Sequence, residues 1–199
     1  MAFYFNSFPN IQYDINKTNS FKSVQNVLVR FQFKNFPLYK DKSTNFYDHI
    51  VEEGERPDHI ADRYYDDPTL SWVVLFVNNI VDPLYDWPLD YVEFTNYVRD
   101  KYKYQGSLVN QGGIEWAQQN IHHYEWVYQQ QNVLFDGTKV EKKFHIIDES
   151  TYNSKLPSER RAVSYHTYES ELNEDKRKIR ILSNRFLPKL IDEVERILE

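Results

Sequence analysis

Apolar residues recur along this chain in two rhythms, and each rhythm marks a kind of element. Val27, Val29, Phe31 and Phe33 alternate, with Arg30 and Gln32 between them, a period of two that predicts a strand within an otherwise extended N-terminal segment, residues 1–41. "FYDHIVEEGERP" then opens a new unit: a strand over Phe46–Val51, a turn at Gly54, and Pro57 where a helix's first position would fall. Ile60, Ala61, Tyr64 and Tyr65 follow at helical spacing, until the residue before Pro68 is pushed out of the helical region. Pro68 opens a second helix bearing Leu70, Trp72, Val73, Phe76 and Val77, with Asn78-Asn79 as its stop. "DPLYDWP" reads as a turn-rich return to a strand, so the unit is strand, helix, helix, strand, and Trp72 belongs to its core.

Further on, Tyr91, Phe94, Tyr97 and Val98 carry another helix. The middle of the chain, 101–170, reads as β-rich. "GSLVNQGGIEWAQQN" is taken as a loop or hairpin, "IHHYEWVYQQQ" as a strand, and "NVLFDGTKVEKKFHII" as a hairpin about Asp136-Gly137. The last segment, 171–199, predicts a helix over "SELNEDKR", an alternating strand "KIRIL", and a clean amphipathic helix. That last helix has a stripe of Leu187, Leu190, Ile191, Val194, Ile197 and Leu198, with Pro188 in its first turn. No later element follows to cover the stripe, so a partner interface with a neighbouring subunit is the expectation.

Composition narrows the classes of function. Aromatics are 17% of 199 residues, 16 of them Tyr, beside only 5 Gly, which favours broad contact surfaces and leaves little from which to build a phosphate-cradling loop. The net charge is −6, and residues 41–100 hold 14 acids against Lys42, Arg56, Arg63 and Arg99. That block repels phosphate, so nucleic acid is excluded as a partner. With no Cys there is no disulfide, thiol nucleophile or thiolate metal site. "MAFYFNSFPNIQYD" has no basic stretch ahead of an apolar run, so no signal peptide is read there. The most apolar run, "LSWVVLFVNN", is about half the length a bilayer needs, and no membrane partner is expected.

Candidate chemistry is thin. His122, His123 and Glu125 invite a metal reading, but neighbours on a strand point to opposite faces, and no third ligand has telling spacing. Asp58 with Glu141 and Lys143 has the residue types of an acid–acid–lysine nuclease centre; yet Asp58 opens a helix, and no placed geometry joins the three. No nucleophile elbow, P-loop or dinucleotide glycine run is present. No catalytic residue, metal ligand or cofactor is assigned.

The unit over 42–100 resembles a LysM module, a small β-α-α-β fold known for binding N-acetylglucosamine polymers. The order of "VEEGERPDHIADRYYDDPTLSWVVLFVNNI" carries that resemblance: Gly54 at the turn, "IA" in the first helix, an apolar second helix and an Asn-Asn exit. It departs where a Gly-Asp-Thr-like turn would stand, because Glu55-Arg56-Pro57 follows Gly54.

The longer stretch "RPDHIADRYYDDPTLSWVVLFVNNIVDPLYDWPL", with the tail "YESELNEDKRKIRIL" and "LIDEVERIL", resembles the baseplate wedge protein 53 family of contractile-tailed bacteriophages. The matching positions are Arg56, Pro57, Trp72, Asn78, Asn79, Asp82, Pro83, Trp87 and Pro88, then Asn173, Glu174, Lys176, Arg177, Ile179 and Ile181. The resemblance implies an α+β chain: a LysM-like module, a β-rich middle and a C-terminal amphipathic helix. It also implies a structural virion protein, not an enzyme, assembled in the host bacterial cytoplasm. Its expected partners are other baseplate wedge subunits and the same protein's neighbours in a sixfold ring, where it would tie adjacent wedges together. Two rival readings stand beside it: a peptidoglycan-binding LysM module attached to a cell-wall-acting protein, and a metal-dependent hydrolase resting on His122, His123 and Asp58.

Overall fold

The computed structural model describes residues 8–26, 45–133 and 139–198. The strand expected over 27–33 and the turn at Asp136-Gly137 lie outside them. In chain order, the strands β1 (Asn10–Tyr13), β2 (Lys22–Gln25) and β3 (Phe46–Ile50) come first. Next are α1 (Pro57–Tyr65), a 3-10 turn at Pro68–Leu70, α2 (Ser71–Val77), α3 (Pro83–Asp86), α4 (Tyr91–Lys101), α5 (Lys103–Leu108) and α6 (Gly113–Gln119). Strands β4 (Ile121–Gln129), β5 (Asn132–Val133), β6 (Lys139–Val140) and β7 (Lys143–Ile147) follow. The chain continues through α7 (Glu149–Ser154), β8 (Arg160–Ser164), α8 (Tyr165–Lys176), β9 (Lys178–Leu182) and α9 (Leu187–Leu198). The mixture is α+β, as expected.

Three acids of the acidic block, and Asp148 beyond it, have a local structural task. Asp67, Asp82, Asp90 and Asp148 each stand just before a helical turn and accept from a backbone N–H inside it, at 2.7–3.3 Å. Such caps satisfy donors that a helix start leaves open, and the negative charge suits the helix dipole. The turn at Gly54 sits at φ +71°, a left-handed conformation that glycine adopts without a side-chain penalty.

Two compact units result: Met1–Pro88 with Lys176–Glu199, and Leu89–Asp175. In the first, β3 pairs antiparallel with β9, from Phe46 opposite Leu182 to Ile50 opposite Lys178. This corrects one expectation. "DPLYDWP" forms the short helix α3, not a strand, and the strand beside β3 comes from the far end of the chain. Pro83 after the capping Asp82 favours a helical first turn there. The core of this unit gathers Ile60, Ala61, Val73, Val74 and Val77 of the helices, Ile179, Ile181 and Leu182 of β9, and Phe8 and Trp87.

Leu190, Val194 and Leu198 of α9 are buried in the same core, and Leu187 packs against it. The stripe expected to await a neighbour is therefore largely covered by the chain itself; Ile191 is half-buried and Ile197 is its exposed member. Trp72, expected in this core, is half-buried and packs against it from the rim, edge-on to Phe76. Its neighbours Val73 and Val74 point inward in its place, and the buried tryptophan of this core is Trp87.

In the second unit, "GSLVNQGGIEWAQQN" forms two short helices, not a loop or hairpin. Gly113 makes this possible: a Cβ there would lie 2.2 Å from the Arg99 carbonyl oxygen, so only glycine lets α6 start against the end of α4. Phe94, Val98, Tyr102 and Ala117 form a small core, with Trp116 stacked on Tyr102. The unit also holds a three-stranded antiparallel sheet, in the order β7-β4-β8, and β5 pairs antiparallel with β6.

Candidate interaction surfaces

Polar clusters in the core hold the fold, and apolar positions on the outside are what another molecule can use. Glu55 is buried beside the Gly54 turn. Its carboxylate accepts from the Glu52 N–H at 3.0 Å and meets His49 at 2.9 Å and Arg63 at 3.0 Å. Burial pushes this carboxyl up, but the Glu52 N–H, His49 and Arg63 outweigh it and leave it below its ordinary value. Trp87 Nε1 donates to the Glu55 backbone carbonyl. Arg56 and Asp58 form a bidentate ion pair on the surface beside Pro57, the first residue of α1. The turn that a sugar-binding module would line with hydroxyls thus presents a paired arginine, while its carboxylate is turned inward.

The remaining matched positions are also distributed through the framework. Asn78 Nδ2 donates to the Val74 and Arg180 carbonyls, and the Arg180 N–H donates to Asn78 Oδ1, each at 2.8 Å. Asn79 takes the left-handed conformation that ends α2. Asp82 caps α3 ahead of Pro83, and Pro88 follows the buried Trp87. In the tail, Asn173 brackets the Leu89 backbone through both N–H and carbonyl, at 2.8 and 2.9 Å. Lys176 donates to the Tyr85 carbonyl, and Arg177 reaches the Val51 carbonyl and the Glu53 carboxylate.

His122 and His123 depart from the expected alternation. A register shift between Ile121 and His123 in the β4–β8 pairing brings their Nδ1 atoms to 2.8 Å. His122 stacks on Tyr168, and His123 reaches the fully buried Glu125, which also meets Lys142 at 2.9 Å and Arg161 at 3.7 Å. Among the described residues, no three His, Asp or Glu side chains converge as a metal ion requires. Nearby in the same unit, Glu169 accepts from Lys101, Tyr102 and Tyr97.

Outward-facing apolar side chains occur throughout both units, Leu84, Tyr91 and Leu108 of the helices among them, and the strands contribute several groups. The β1–β2 hairpin sets Ile11 opposite Val24 and Tyr13 opposite Lys22, while Asn10, Gln12, Ser23 and Gln25 occupy the other face. Ile11 and Tyr13 are 39% and 55% exposed, and Ile15 and Phe21 beyond them are 63% exposed each. Asp14 organises the connecting loop by accepting from the Asn16 and Asn19 N–H groups, and Phe8, at the hairpin's root, is buried in the core. In the second unit, Phe144 and Ile146 of the edge strand β7 are exposed. Sequence reasoning does not single out the hairpin, because "NIQYD" and "KSVQ" are too short and polar to stand out.

No helix among the described residues is long and apolar enough to cross a membrane. A family model described as base plate wedge protein 53 matches residues 3–197. No curated protein matches the chain.

Proposed function

Because the chain belongs to the base plate wedge protein 53 family, we propose that it bridges neighbouring wedge subunits as the baseplate closes into a sixfold ring. As a member of that family it is a structural component of the phage tail baseplate, located in the virion tail and working through contacts with other baseplate proteins. The bridging role is architectural, without catalysis, and assembly takes place in the host cytoplasm before the tail is complete.

The observation that carries the bridging reading is the β1–β2 hairpin. An isolated two-stranded hairpin is marginal in water, and this one turns an apolar face outward. Docking that face on a neighbour buries it and orders the hairpin in one step. Tyr13→Glu with Phe21→Glu tests this. The double variant should melt like the wild-type chain but be missing from assembled particles when their proteins are identified by mass spectrometry. Entry at the wild-type level would overturn the reading.

A further inference from the structure

The two edges of the β3–β9 sheet are treated differently by the fold. Val51 N–H donates to the Arg177 carbonyl and Ser183 N–H to the Asn45 carbonyl, which fixes which residues point their backbone groups into the ladder. In an antiparallel pair the alternate residues then point theirs outward: Asp48 and Ile50 on β3, Arg180 and Leu182 on β9. On β9 these outward groups are occupied. The Asn78 amide takes both the N–H and the carbonyl of Arg180, and the Tyr65 hydroxyl donates to the Leu182 carbonyl. On β3, no described residue bonds the outward N–H or carbonyl of Asp48 or Ile50.

We propose that the outer edge of β3 accepts an extended segment of a different baseplate protein as a third strand, with a lysine or arginine of that segment facing Asp48. The inference rests on the bridging reading and names a second, distinct contact. Strand addition satisfies the outward backbone groups, and the exposed Tyr47 (54%) and Ile50 (67%) flank the new strand with apolar surface. Asp48 selects the partner. Two copies of this chain pairing antiparallel about the strand's centre would set Asp48 against Asp48, which like charges disfavour, whereas a basic residue there is favoured.

The test places a benzoylphenylalanine cross-linker at Tyr47 in infected cells and maps the adduct by mass spectrometry. The expected adduct joins Tyr47 to an extended, lysine- or arginine-bearing segment of another baseplate protein. Ile50→Pro removes only an outward N–H, so the fold should survive and the adduct should be lost. Should Ile50→Pro fail to fold, Asp48→Lys decides: loss of the adduct supports the proposal, and an undiminished adduct overturns it. An adduct to a second copy, or none from chains that have entered particles, also overturns it, and in the latter case bridging through the hairpin stands untouched. Chains that carry an intact hairpin and never enter particles would instead sink the bridging reading itself.

Discussion

Trp87 Nε1 donates to the Glu55 carbonyl at 2.9 Å and so joins positions 32 residues apart. The bond ties the segment after α3 to the turn after β3, where the Glu55 side chain is already fixed by His49, Arg63 and the Glu52 N–H. Trp87→Phe keeps most of the buried ring but leaves the carbonyl without its donor, at a cost of about 1–3 kcal/mol. Trp87→Ala also opens a cavity and should cost about 3–5 kcal/mol. Urea unfolding of the whole chain checks both, and equal losses would show that the hydrogen bond, not the packing, dominates.

Trp72 gives the contrast. It is half-buried beside Phe76, so Trp72→Ala should cost about 1–2 kcal/mol and leave a cooperative melt. A loss as large as that of Trp87→Ala would place Trp72 among the core residues.

Removing residues 184–199 takes Leu190, Val194 and Leu198 out of the first unit's core. Each large-to-small change at such a site costs about 2–5 kcal/mol, and a whole domain has only about 5–15 kcal/mol to lose. The truncated chain should therefore lose its cooperative transition and become sensitive to protease across 45–88. An unchanged melt would mean that α9 is dispensable to the core.

Acid should loosen the second unit in two steps. Burial and the adjacent His123 hold His122 below its ordinary value of 6.5, with Lys101 acting in the same direction and Glu169 against it. The neutral ring is thus favoured in the fold, and its contribution is present above 6.5 and lost as pH falls through the folded value. Burial raises the Glu169 carboxyl, but Lys101, Tyr102 and Tyr97 outweigh it and hold it below 4.5, so its contribution persists above 4.5 and fails as pH falls further. Thermal melts across this range should show both declines, and His122→Gln should remove only the upper one. A melt flat through the upper range would refute the assignment to His122.

Elements fixed by local chemistry are legible in the sequence, and those fixed by distant contacts are not. β3, α1, α2 and α9 announce themselves through alternation, helical spacing and proline placement. "KIRIL" reads as a strand, but nothing local says that its partner is "FYDHI". Three glycines hide α5 and α6, because glycine disfavours helices unless a close approach demands it. A signal was present: Glu115 stands three residues after Gly112, and its carboxylate accepts the Gly112 N–H. The stripe of α9 is plain, yet the core it joins draws on residues as far back as Phe8 and Phe46. The neighbouring histidines meet through a register shift that residue identity does not encode.

Since β9 is the strand that completes the β3 sheet, the order of synthesis matters. Val51 emerges from the ribosome 126 residues before Arg177, the residue that anchors it, which at bacterial speeds is on the order of ten seconds. The interposed unit, Leu89–Asp175, is fully translated by then, while β3 still lacks its β9 partner. The pairing that closes this sheet can form only once residues 178–182 have been made, so the strand order ties the folding of the first unit to a late stage of translation.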